Sequence, residues 1–246
     1  MGQSPRATAM ILAAGRGERM RPLTDATPKP LLKAGGRALI EWQVERLVSG
    51  GFRDIVINHA WLGAQIEAAL GSGAAFGARI RYSAEGEALE TVGGIVKALP
   101  LLGLRPFVVT SADVFSDYDY ARLHERIAAI EAYYPAHAAH FVLADNPPFH
   151  RAGDMAIHDG MAAMRGDRLN YSGIAVYAPS LFATFAAGVK MKLFPWAFQF
   201  VEQGRVSAEH FRGRWENLGT PAQLALLDAR LSGAAANSPA PPLQSG

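Results

Sequence analysis

The apolar positions of this chain repeat with two periods that alternate along its first half. Residues 9–14 form a continuous apolar run, short enough for a buried strand. Over 38–49 the apolar residues Ile40, Val44, Leu47 and Val48 keep a helical spacing, which Gly50 and Gly51 stop. Residues 54–58 then read as a buried strand, 61–70 as a helix and 79–83 as an alternating strand. An acidic loop over 84–89, with Glu90 beside it, leads to a helix over 91–99. A strand over 107–110, a helix over 120–132 and a strand over 140–144 complete the series. Strand and helix in turn predict an α/β fold: a mostly parallel mixed sheet covered on both faces, three layers deep (α/β/α).

Past Ala144 the pattern changes. It predicts a hairpin over 155–164 around Asp159-Gly160, a strand over 169–177, a helix over 193–203 and a strand over 211–218. Pro221 suits the first turn of a last helix ending at 231. From 232 on the chain is Ser, Ala, Gly and Pro, read as a disordered tail behind a single domain over 7–231.

Composition narrows the function classes. Half of the 246 residues are hydrophobic, enough for one substantial core. There is no cysteine, which removes disulfides and thiolate metal sites. A net charge of +2 without a Lys/Arg run gives no nucleic-acid footprint. No apolar stretch reaches the roughly 20 residues of a membrane span, and the polar start does not read as a signal peptide. The expectation is a cytoplasmic protein, a monomer or small homo-oligomer, with no membrane partner.

The candidate chemistry begins where the first strand ends. Leu12 opens a stretch with Gly15, Gly17, Arg16, Arg19 and Lys29, in which Pro22, Pro28 and Pro30 rule out an ordinary helix. A glycine-bearing cationic loop after a buried strand gathers backbone N–H groups and positive charge, as phosphate binding requires. A dinucleotide fingerprint fails because Met20 stands at the third glycine position, and a Walker loop fails for want of Gly-Lys-Ser/Thr. A solvated basic loop is the bland alternative. Asp113 follows the strand over 107–110 and suits Mg²⁺, which takes one or two protein oxygens plus phosphate; an N-cap for the next helix is the other reading. No histidine pair has metal-ligand spacing; His150 is the best placed of the seven for a functional role.

The pattern L-A-A-G-x-G-x-R-M-x-P-L-T, followed by P-K-P-L, resembles the signature of the sugar-1-phosphate nucleotidyltransferases, and the resemblance extends from about Ala7 to Leu231. It implies a Rossmann-like nucleotidyltransferase fold and nucleotidyl transfer, with Arg19 and Lys29 as catalytic cations. It also implies a nucleotide site built from Ala13, Gly15, Gly17, Glu18, Arg19, Lys29, Gly93 and Ser111. Asp113 and Asn217 would hold Mg²⁺, Asn217 standing in Trp215-Glu-Asn-Leu-Gly-Thr220 where the family usually has aspartate. The sugar side would fall to Asp154, Ser172, Gly173 and Lys192. Val92 stands where the family has Gly or Ala, and would narrow the base pocket. The stretches from Ile57 to Gly63, Tyr82 to Thr91 and Asn146 to Asp154 are similar to the short bacterial branch that acts on N-acetylmuramate 1-phosphate. That branch implies UTP as donor and a place in cell-wall (peptidoglycan) recycling. Mannose- or glucose-1-phosphate nucleotidyl transfer, and a nucleotide-binding protein with decayed catalysis, are the alternatives.

Overall fold

A computed structural model describes residues 7–236. In chain order the strands are β1 (Thr8–Leu12), β2 (Lys33–Ala34), β3 (Arg37–Ala38), β4 (Asp54–His59), β5 (Arg79–Ala84), β6 (Phe107–Ser111) and β7 (Val114–Ser116). They continue as β8 (Ala139–Ala144), β9 (Ala156–His158), β10 (Met161–Ala163), β11 (Asn170–Tyr177), β12 (Val206–Phe211) and β13 (Trp215–Asn217). The helices are α1 (Leu39–Ser49), α2 (Gly63–Leu70), α3 (Glu90–Leu102), α4 (Leu123–Tyr133), α5 (Phe198–Glu202) and α6 (Pro221–Ala236).

Nine strands form one sheet in the order β5-β4-β1-β6-β11-β8-β12-β10-β9. Only β11 and β10 run against the rest, so the sheet is mixed but mostly parallel, as expected. Side chains alternate between two cores, as the period-2 pleat requires. Ala9, Ile11, Ile55, Ile57, Val108 and Val142 meet Ile40, Val44 and Leu47 of α1 and Ile127 of α4. Met10, Val56, Val109 and Phe141 face the other way, onto Ile95 and Ala98 of α3. These two cores are the seams of the three layers. A third, smaller cluster joins Met20, Leu32, Phe115, Leu218, Leu224 and Leu227, and so fastens the loop after β1 to β7, the turn after β13, and α6.

Three readings change. The helix read over 193–203 is only α5, because Pro195 disfavours helical backbone at Phe194 before it; Leu193, Ala197 and Val201 are buried all the same. The strand read over 211–218 is the end of β12, a turn at Gly213, and then β13, which leaves the main sheet to pair with β7. Of the tail read from 232, residues 232–236 belong to α6, and residues 237–246 lie outside the described residues. Among the described residues no helix is long and apolar enough to cross a membrane.

Burial also sets a pH limit on the fold. His140 on β8 is almost fully buried, with Nδ1 2.9 Å from Ser207 Oγ. Desolvation drives its pKa from 6.5 to about 4; Glu209 opposes this, while Arg126 and Arg122 add to it. A folded pKa below the unfolded one means the unfolded chain binds more protons between these values. The contribution is therefore complete above pH 6.5 and is lost as pH falls toward 4, at most about 3 kcal/mol. Urea unfolding from pH 7.5 to 4.5 should show a steeper loss for wild type than for His140→Gln. Equal slopes would remove His140 from the account.

Candidate active site

The strand order turns outward in both directions from β1: β4 and β5 lie on one side, β6 on the other. Ligands in open α/β sheets bind at the carboxyl ends of strands at such a switch point. The register puts Leu12 level with both Asn58 at the end of β4 and Ser111 at the end of β6. A cavity of about 400 Å³ opens there; its walls include Ala13, Gly15, Lys29, Ser111 and Asp113.

Backbone economy shapes the loop after β1. Gly17 adopts φ +69°, and a Cβ there would come 3.0 Å from Thr24 Cγ2 and 3.2 Å from Lys29 Cβ, so glycine serves twice. Short 3₁₀ turns at Glu18–Met20 and Lys29–Leu31 replace the helix that the prolines forbid. Met20, fully buried, pins the loop to the third cluster. Thr24 Oγ1 donates to Gly17 O at 2.9 Å. The Arg16 guanidinium lies 3.7 Å over the Trp61 ring, and both side chains donate to Thr24 O, at 2.7 and 3.0 Å. A stacked, doubly bonded arginine of this kind makes the loop rigid.

Rigid positioning brings Lys29 to Asp113: Nζ to Oδ2 is 2.6 Å, with Lys29 nearly buried and Asp113 open to solvent on one side. The turn after β13 closes beside them, where Leu218 N donates to Asp113 O at 2.8 Å. Asn217 pairs across with Val114, next to Asp113. Its Oδ1 is buried without a hydrogen-bond partner. A carboxylate and an orphaned buried amide oxygen, on backbone segments that pair next to each other, are donor types suited to a hard cation, so these residues fit Mg²⁺. Among the described residues no group of three or more His, Cys, Asp or Glu could hold a metal ion. Arg19 stands outside the cavity wall, its guanidinium against Gly219 of the same turn. The loop after β1 and the stretch over 215–220 thus meet at one place.

Other candidates sit elsewhere. Glu18 is exposed, 3.8 Å from Arg16 and 3.9 Å from Arg21. Gly93 is buried in α3, where a Cβ would overlap the Val189 carbonyl; it admits the segment whose Met191 bonds Leu89 and Val92. Lys192 is exposed on that segment and does not line the cavity. Val92 points into the core with Met10 and Val56, so it does not narrow the cavity. Ser172 Oγ is used internally, donating to Val142 O at 2.7 Å, and Ser172 O accepts from Trp215 Nε1. Gly173, at φ +81°, rests on the Ser111 hydroxyl. Both Asp154 oxygens are taken, one by His150 Nε2 at 3.1 Å and one by Tyr171 N–H at 2.7 Å. Arg16, Asn58 and Trp61 lie within stretches that the sequence singles out, but the sequence assigns none of them a role of its own. Asn58 carries the visible signal, a polar residue closing the buried Ile-Val-Ile of β4.

Comparison with known proteins identifies the family. The nucleotidyl transferase family model matches residues 8–150. The chain is 46% identical over 222 residues to N-acetylmuramate alpha-1-phosphate uridylyltransferase of Neisseria meningitidis, covering 88% of this chain and 94% of that protein. It is 32% identical over 244 residues to the protein of the same name from Caulobacter vibrioides, covering 94% and 99%. A Bacillus anthracis protein, named for glucose-1-phosphate thymidylyltransferase activity and crystallised with sucrose, shares the fold. Its TM-score is 0.79 at 20% identity, over 96% of this chain and 98% of that one. The chain belongs to the nucleotidyl transferase family and is a nucleotidyl-transferring enzyme.

Proposed function

We propose that this enzyme transfers a uridylyl group from UTP to N-acetylmuramate 1-phosphate with Mg²⁺, giving UDP-N-acetylmuramate and pyrophosphate, as a step of cell-wall recycling in the cytoplasm. The observation that carries the transfer chemistry is Lys29 Nζ 2.6 Å from Asp113 inside the phosphate-loop cavity. The acceptor and the base rest on the near full-length likeness to the two N-acetylmuramate relatives.

An oxygen of the sugar phosphate attacks the α-phosphorus in line as the bond to the β-phosphate oxygen breaks and pyrophosphate leaves. No protein nucleophile is required, so catalysis is positioning plus neutralisation of charge on phosphate oxygens. The backbone around Ala13, Gly15 and Gly17 cradles the triphosphate. Lys29 donates to the α-phosphate as a compact charge, and the Arg19 fork, standing by Gly219, takes the departing phosphates. Asp113 and Asn217 would hold Mg²⁺, which when bound supplies further positive charge at the α-phosphate. Gly173 packs its backbone onto Ser111, and Ser172 and Asp154 shape the acceptor side through their internal bonds.

Four nucleoside triphosphates tested against the 1-phosphates of N-acetylmuramate, glucosamine, glucose and mannose, scored by pyrophosphate release, check the assignment. UTP with N-acetylmuramate 1-phosphate should give the highest kcat/KM. A preference for mannose or glucose 1-phosphate would replace the acceptor, and stabilisation by UTP without turnover would mean catalysis has decayed.

A further inference from the structure

The cavity has a second polar system, which meets the phosphate loop only at the Ala13 amide and involves neither Lys29 nor Asp113. Ala13 N–H donates to Asn58 Oδ1 at 2.9 Å. Asn58 Nδ2 donates to Glu85 Oε1 at 2.5 Å, and Glu85 Oε2 accepts from Leu89 N–H at 2.8 Å. Asn58 is 2% and Glu85 8% exposed. The relay ties three walls: the end of β1, the end of β4, and the loop that enters α3. It lies across β1 from Asp113, at the end lined by Asn58, Ala88, Glu90 and Thr91.

Its direction is fixed. A carboxylate can only accept, so Glu85 turns the Asn58 amide nitrogen toward itself and leaves Oδ1 for Ala13. Burial pushes the Glu85 carboxyl up; the Leu89 N–H, the Asn58 amide, Lys97 and His59 oppose this. Helix α3 is cut to fit: a Cβ on Gly94 would stand 2.6 Å from Glu85 Oε1 and 2.7 Å from Asn58 Nδ2. A buried, fully bonded network that consumes a glycine in a helix interior holds its surroundings in one arrangement.

We propose that Glu85 is a positioning residue for the nucleoside: acting through Asn58, it locks the Ala13 and Leu89 amides and so sets the distance between the walls that receive base and ribose. This rests on the nucleotidyl-transfer reading of the cavity. The relay governs nucleotide affinity and leaves the phosphate chemistry to Lys29 and Asp113.

Glu85→Gln keeps the volume but faces one N–H donor with another. A buried donor left unsatisfied should raise KM for UTP about 5- to 100-fold, with kcat at saturating UTP and KM for the sugar phosphate changed by less than about threefold. UTP binding measured by calorimetry, without acceptor, should weaken by the same factor. Gly94→Ala, which presses on the same pair from α3, should reproduce the split and serves if Glu85→Gln does not fold. An unchanged KM for UTP, or both KM values and kcat moving together, would overturn the proposal. Wild-type protein that binds no nucleoside triphosphate would defeat the nucleotidyl-transfer reading and this inference with it. Wild type that binds UTP beside an unaffected Glu85→Gln would defeat the inference alone.

Discussion

Lys29→Ala should fold and lose about 10²–10³ in turnover, the usual cost of removing a donor aimed at the transition state. The loss follows from geometry. The loop after β1 is held by Met20, Thr24 and the Arg16–Trp61 stack, none of which the substitution touches. The frame that aims Lys29 therefore persists while the charge is gone. Asp113 loses its partner but keeps access to solvent, so the stability cost stays near about 1–2 kcal/mol rather than that of a fully buried pair. Lys29→Arg should recover only part of the rate, because a planar fork does not fit where a compact ammonium stood. Pyrophosphate release near the wild-type rate in Lys29→Ala would remove this residue from the chemistry.

Asp113→Asn should cost turnover by a similar factor, about 10²–10³, and shift the Mg²⁺ titration to higher concentration. In the proposed Mg²⁺ site Asp113 would bring the carboxylate and Asn217 an amide oxygen, so losing that charge would leave the protein only neutral donors to offer. The converse change, Asn217→Asp, adds a charge where a buried oxygen has no partner. It should lower the Mg²⁺ concentration for half-maximal rate and, without Mg²⁺, lower the melting temperature through repulsion with Asp113. A Mg²⁺ titration that does not move in Asn217→Asp would mean Asn217 never meets the metal.

The parts of this site that could be read in the sequence are those fixed by local chain chemistry. Gly17 is needed for a left-handed turn, the prolines forbid a helix, and Asp113 follows closely on a buried strand; each announces itself without knowledge of the fold. The apolar runs of β1, β4 and β6 likewise set the layers. What stayed hidden depends on which way a side chain faces across elements. Val92 and Gly93 are neighbours in α3, yet one fills the core and the other admits the Val189 backbone. Glu85 lies in a loop that reads as an acidic solvated face, and only the approach of β4 and Gly94 shows that it is buried. The helix over 193–203 failed for the opposite reason: its buried Leu193, Ala197 and Val201 keep helical spacing, but packing can bury residues at that spacing without a continuous ladder.

The most direct test of uridylyl transfer is ³¹P NMR of the wild-type protein with UTP, N-acetylmuramate 1-phosphate and Mg²⁺. The account expects the UTP and sugar-phosphate resonances to fall together while a diphosphodiester and pyrophosphate rise in equal amounts. Unchanged spectra, or UMP appearing without the diphosphodiester, would contradict it.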